Sequence, residues 1–192
     1  MEKLLNEDDC LETGCGVEME GKVVVLDPSA LPEDSRDAQH QLYFCTGGNG
    51  THPNLSGGSV LAVSLVNRGQ TCWNRSDILG VAKPEVLTES ARMQLSQIRP
   101  IGAMDLKKQE PLYSAYCFLP NGRYPSATWL CSPSEVENYI DMQKDYQHRI
   151  MICDRDDLCV FEMVEGEILY PTKDMIDAIN ASQEKGDIEL NL

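Results

Sequence analysis

Cys45 and His52 stand seven positions apart in the stretch "YFCTGGNGTHP", Tyr43 to Pro53. A thiolate nucleophile needs a base within hydrogen-bonding reach and a third group to orient that base. The spacing permits such a pair without producing it, and no orienting group is signalled nearby. Cys45 also alternates within an apolar strand-like run, so its side chain is expected inward, as a small hydrophobe. A thiol-dependent hydrolase is therefore the weaker reading, and no catalytic set is assigned. The glycines do not make a phosphate cradle either. The stretch lacks the Gly-Lys-Ser/Thr signature, and neither lysine nor arginine occurs between Arg36 and Arg68. Glycine permits positive φ, so the segment reads as a tight link between strands. Its residues Asn49 and His52 are candidates for contact with a partner, as are Arg68 and Arg75 flanking the next hairpin. On this reading the protein would be a regulatory adaptor binding through residues 46–58.

Metal chemistry has little support. The eight cysteines include two loose pairs, Cys10 with Cys15 and Cys153 with Cys159, separated by four and five residues. Neither has the tight two-residue spacing of zinc centres. Asp154, Asp156 and Asp157 in "CDRDDLC" are too few and too closely set for a calcium loop, and read as a solvated hairpin turn. No metal or cofactor is expected. Together with Glu162, Glu165 and Glu167, these aspartates would make one face of a sheet strongly negative. Strand rise, about 3.3 Å per residue, is close to the phosphate spacing along one nucleic-acid strand, about 3.4 Å. An acidic surface of this kind could compete for a nucleic-acid path.

The elements that must position these residues fall into two patterns. "GKVVVLD", "QLYFC", "GSVLAVSLV" and the run from Thr71 read as strands, and "SDILGVA" adds a short apolar run closed by Pro84. Thr88 caps a helix to about Gln97 with Ala91, Leu95 and Ile98 inward. The stretch 101–111 is the natural boundary. Beyond it, "LYSAYCFL" and "YPSATWLC" flank an Asn-Gly turn. Ser132, Pro133 and Glu135 then open a helix burying Val136, Tyr139 and Ile140. Strands over 148–153, 158–164 and "EILYP" follow, then a helix capped by Thr172 with Met175, Ile176 and Ile179 inward. The expected architecture is α+β: a β-rich domain with a trailing helix over 16–100, a connector over 101–111, and an antiparallel-sheet α+β domain over 112–182. Residues 1–15 and 183–192 are expected to be acidic, partly flexible ends. Trp73 and Trp129 are expected in the cores.

Composition limits the partner. The chain of 192 residues carries 31 acids against 16 lysines and arginines, a formal charge of −15. Seven acids and one base lie in residues 1–20, and eleven acids and three bases in 154–192. Such a field repels free nucleic acid and anionic lipid and attracts basic protein surfaces. There is no long apolar run and no leader pattern, so neither a membrane span nor secretion is expected. Several cysteines lie inside apolar strand-like runs, which fits a reducing cytoplasm. Self-association is left open.

Several of these segments carry a resemblance. Leu31-Pro32, Gln41-Leu42-Tyr43, Thr46-Gly47-Gly48-Asn49-Gly50, Trp73 near Arg75, and Ile78-Leu79-Gly80 with Lys83-Pro84-Glu85 resemble small accessory domains encoded on mobile elements of Firmicutes. The region spans about a third of the chain, and "CSPSEVENYIDMQKDYQHRIMICDRDDLCVFE" looks like a second such domain. The resemblance brings no catalytic residue with it. Mobile-element proteins of this size and acidity include anti-CRISPR proteins, which inhibit host-defence nucleases. The resemblance thus implies a protein-binding inhibitor of a nucleic-acid-handling enzyme, a CRISPR-associated nuclease first among them, acting through its acidic surface on a basic nucleic-acid-binding partner.

Overall fold

A computed structural model describes residues 3–14, 16–172 and 175. Among them are two antiparallel sheets with an α-helical layer between. The first sheet contains β1 (Cys10–Thr13), β2 (Val23–Leu26), β3 (Leu42–Gly47), β4 (Ser59–Ser64), β5 (Gln70–Asn74) and β6 (Ile78–Ala82), in the order β1-β6-β2-β3-β4-β5. All four residues of β2 are buried, as suits a central strand covered on both faces. One face packs Val23, Val25, Leu42 and Phe44 towards the helices. The other packs Val24, Leu26, Tyr43 and Cys45 beneath Val17, Met19 and Leu31 from the connecting segments.

The helix α1 (Glu89–Ser96) starts at Thr88, whose hydroxyl accepts from the Ala91 N–H. It buries Ala91 and Leu95. The exposed stretch 101–111 then leads to β7 (Tyr113–Phe118) and β8 (Thr128–Leu130). Ser132 caps α2 (Pro133–Gln143), and β9 (Arg149–Cys153), β10 (Cys159–Val164) and β11 (Glu167–Tyr170) complete a sheet of order β11-β10-β9-β7-β8. The α+β class and the antiparallel sheets agree with the sequence reading. The helix expected after Thr172 and the end 183–192 lie outside the described residues, apart from Met175.

Residues 3–14 carry elements of their own. Residues 7–9 form a helical turn capped by Asn6, and β1 pairs antiparallel with β6, Cys10 opposite Ala82. Only Cys10 of β1 is buried, so the strand is held by backbone pairing rather than by an apolar face. Gly80 makes the pairing possible, because a Cβ there would collide with the Glu12 carbonyl oxygen.

The two sheets share their helical layer. Val136, Tyr139 and Ile140 of α2 pack on the second sheet, while Met142 and Tyr146 join the first sheet's core beside Leu95. The last carbonyls of a helix lack partners within it, and α1 finds them across the boundary. Ser96 O accepts from Tyr139 Oη at 2.6 Å and Thr128 Oγ1 at 2.7 Å, and Leu95 O accepts from Gln143 Nε2 at 2.9 Å. Tyr146 Oη accepts the Val23 N–H at 3.2 Å. The connector is exposed, yet the cores on its two sides are one packed body.

Candidate functional site

The glycine-rich loop has a structural task. Gly48 has φ +105°, and a Cβ there would strike the Ser59 carbonyl. Gly50 lies so near Gly58 that a Cβ would come within 2.7 Å of its carbonyl oxygen. Thr51 is fully buried, donates its hydroxyl to Gly48 O at 2.7 Å, and accepts the Met19 N–H at 2.9 Å. Arg75 closes the arrangement by donating to Gly50 O, to Val17 O at 2.7 Å and to Gly14 O at 3.3 Å. Its guanidinium pins the loop and the segment 14–20 to the sheet. Asn49 remains exposed, and Arg68 sits exposed at φ 59° in the β4–β5 turn.

Cys45 and His52 are engaged separately. Cys45 is fully buried, and burial pushes its thiol up to about 12. His52 has a carboxylate on each ring nitrogen, Glu18 at 2.5 Å from Nδ1 and Glu20 at 2.9 Å from Nε2. The Glu18 hydrogen bond, ahead of an opposing desolvation and with help from Glu20, raises its pKa above the ordinary 6.5. An imidazole so held ties the segment 18–20 to the loop. Cys153 and Cys159 do meet, directly opposite each other across β9 and β10 as free thiols. Cys15 is outside the described residues, and no group of three or more metal-binding side chains occurs among those described.

The six carboxylates of the second sheet divide between its two ends. Asp154 caps the β9–β10 turn, its Oδ1 accepting from the Asp156 and Leu158 N–H groups. Asp156 and Asp157 stand exposed in that turn. Glu165 and Glu167 flank the β10–β11 turn, where Glu165 meets His148 at 3.4 Å. Between them lie the six residues of β10, roughly 20 Å of strand. Glu162, on the strand itself, is paired with Arg149 at 2.7 Å. The acidity of this sheet is therefore gathered at two turns, with the Glu162 carboxylate between them paired to Arg149.

A denser acidic feature lies at the seam between the sheets. A cleft of about 550 Å³ is lined by Glu85, Glu89, Asp145 and Glu165 with Arg92 and His148. It adjoins, through Asp145 and Tyr146, a second of about 380 Å³ that adds Glu12, Glu20 and Asp141. The cations here are largely committed. Arg92 turns inward to donate to the carbonyls of Leu87, at 3.3 Å, and Pro84, at 2.5 Å. Lys22 pairs with Glu12 at 3.7 Å and Lys144 with Asp141 at 2.8 Å. Glu85 and Asp145 make no salt bridge among the described residues. The wall is firm, since Tyr146 is buried and holds the Val23 N–H. Of the carboxylates singled out in the sequence, only Glu165 reaches this groove. The rest come from positions 12 to 145, with no spacing in the chain to announce them.

Comparison with protein-family models, curated proteins and solved structures finds no match. No helix among the described residues is long and apolar enough to cross a membrane.

Proposed function

We propose that this chain is a protein-binding inhibitor whose acidic groove receives a basic segment of a nucleic-acid-handling enzyme. The observation that carries the reading is the groove itself. It gathers carboxylates from both halves of the chain on a rigid wall, with no salt bridge to Glu85 or Asp145 among the described residues and Arg92 donating to backbone carbonyls. Lysine or arginine entering it would exchange water for charge-assisted hydrogen bonds. The remaining negative field would steer encounter and make association fall with salt. A basic surface so covered is withdrawn from phosphate, and that is the inhibitory step. A CRISPR-associated nuclease, implied by the mobile-element resemblance, is the first enzyme to test. The adaptor reading through residues 46–58 is the poorer one, because that loop is bound inward by Arg75, Thr51 and Met19.

The test is affinity capture from a host-cell lysate at low salt. Wild type is compared with a groove variant carrying Glu85→Gln, Glu89→Gln, Asp145→Asn and Glu165→Gln. The expected result is a nucleic-acid enzyme retained by wild type, lost with the variant, released by added salt, and inhibited by the wild-type chain. Capture of no basic partner, or equal capture by the variant, would sink the proposal.

A further inference from the structure

Among the described residues, the second sheet has a layer on only one side. Its inner face, with Ala115, Cys117, Ile150 and Ile152, lies under α2. The ladder fixes what stands on the other. Ser114 pairs with Trp129 and with Cys153, Tyr116 with Met151, and Phe118 with Arg149, so these side chains share the outer face. Tyr124 folds against it, its ring centroid 4.8 Å from that of Phe118 and 5.8 Å from that of Tyr116. The Arg149 guanidinium lies over Phe118 at 4.7 Å. Trp129 is 49% exposed and Tyr124 53%, so the expected core position of Trp129 is corrected. The aromatic groups form an open patch.

Two polar atoms on this face are unsatisfied. Ser114 is 2% exposed and its hydroxyl has no partner, and Arg149 Nε is likewise buried without one. Buried polar groups in native proteins are nearly always hydrogen-bonded, so these two covered orphans on one aromatic face are donors that an acceptor would satisfy once the side chains over them move aside. The surrounding charge limits the supplier. Arg149 is balanced by Glu162, Asp156 and Asp157 border one end, and Glu165 and Glu167 border the other. A second copy of a chain of charge −15 would meet like charge here.

We propose that the outer face of this sheet docks a protein segment presenting an aromatic or long aliphatic side chain flanked by lysine or arginine. The apolar side chain packs among Tyr116, Tyr124 and Trp129. As the covering side chains move aside, a backbone carbonyl of the segment accepts from Ser114 Oγ or Arg149 Nε, and its cations meet the acidic turns. Aromatic anchors inside a polar rim are where binding energy concentrates in protein interfaces. The inference does not rest on the groove; Glu165 alone borders both surfaces, and it is left unchanged in the test.

The probe is a phage-displayed library of random linear peptides, selected on the immobilised full chain and followed by anisotropy titration of the enriched peptides. Enrichment of an aromatic or aliphatic residue beside Lys or Arg is expected. Trp129→Ser should weaken binding at least about tenfold, while the triple variant Glu85→Gln, Glu89→Gln, Asp145→Asn, which leaves Glu165 in place, binds as wild type. Ser114→Ala should weaken binding severalfold without lowering the melting temperature, because the hydroxyl it removes is unpartnered in the free protein. That combination separates a binding role from a folding one. Absence of enriched peptides, or equal binding by Trp129→Ser and Ser114→Ala, overturns the proposal. So would a homodimer dissolved by Trp129→Ser, or peptide binding seen only after residues 176–192 are removed, since each names a different occupant of the face.

Discussion

Removing the charge of Glu135 should weaken the whole protein, not merely its second half. The Glu135 side chain is 6% exposed and its ion-pair partner Arg99, from the other side of the connector, 23%. Oε2 accepts from Arg99 Nη2 at 2.8 Å and from the Cys131 N–H at 3.0 Å, while Oε1 accepts from the Met104 N–H at 2.8 Å. Glu135→Gln preserves the shape but offers one acceptor oxygen. Whichever way the amide turns, its NH2 confronts a donor. One buried donor left unpaired costs about 1–3 kcal/mol, and the surviving bonds lose their charge assistance, about 1 kcal/mol more. The expected loss is thus about 2–4 kcal/mol, a large part of the 5–15 kcal/mol typical of a folded domain.

Urea unfolding at neutral pH measures that loss. The only tryptophans are Trp73 in the first sheet and Trp129 in the second, so Trp73→Phe and Trp129→Phe backgrounds report each half separately. Both should show one coincident transition, shifted to lower urea with the slope unchanged. Acid supplies the sign check. Burial alone would raise the pKa of Glu135, but the Met104 and Cys131 N–H groups and Arg99 outweigh it and hold the carboxyl below the ordinary 4.5. A lowered folded-state pKa contributes stability above the unfolded value and loses it as pH falls through the folded one. The gap between wild type and Glu135→Gln should therefore close below about pH 4. Separate transitions in the two backgrounds would refute the shared core. A loss below about 1 kcal/mol, or a gap unchanged in acid, would refute the role of the charge.

Two further substitutions test backbone geometry, one in the glycine-rich loop and one in the connector. Gly48→Ala adds a Cβ at φ +105° against the Ser59 carbonyl and should cost about 3 kcal/mol. Gly102→Ala, at φ +76° with open space around it, should cost about 1 kcal/mol, and equal melting shifts for the two would remove the steric argument. For His52, whose pKa is raised chiefly by Glu18, the stabilisation relative to His52→Gln should be fully present below about pH 6.5 and disappear as pH rises through the folded value. NMR titration of the imidazole provides the check, and a midpoint at or below 6.5 would contradict it.

What the sequence showed clearly was local. Thr88 and the Ser132-Pro133 start are helix signals whose physics is complete within one turn, and the Asn121-Gly122 turn likewise, with Gly122 at φ 78°. The features missed depend on partners distant in the chain. β1 reads as an acidic tail because an edge strand held by backbone pairing needs no apolar alternation. Glu135 reads as part of a helix cap, whereas its oxygens reach Arg99 and Met104 as well as Cys131. Trp129 had a signal that was passed over. In Thr128-Trp129-Leu130 its neighbours are buried, so alternation sends the ring to the face of the sheet opposite α2.

The six acids of the carboxyl-terminal sheet, conspicuous in the chain, matter through position rather than number. The fold places them at two turns and pairs Glu162 with Arg149, so they form no continuous row along the strand. The β10–β11 turn nevertheless borders both proposed surfaces: Glu165 lines the groove, while Glu167 stands in register with Val164 and Arg149 on the aromatic face. A basic segment held in the groove and an apolar anchor held on the sheet would thus meet around this turn. Linking two weak contacts in one partner raises avidity without further contact area. The groove variant and Trp129→Ser would then each weaken the same complex, and the pair together would abolish it.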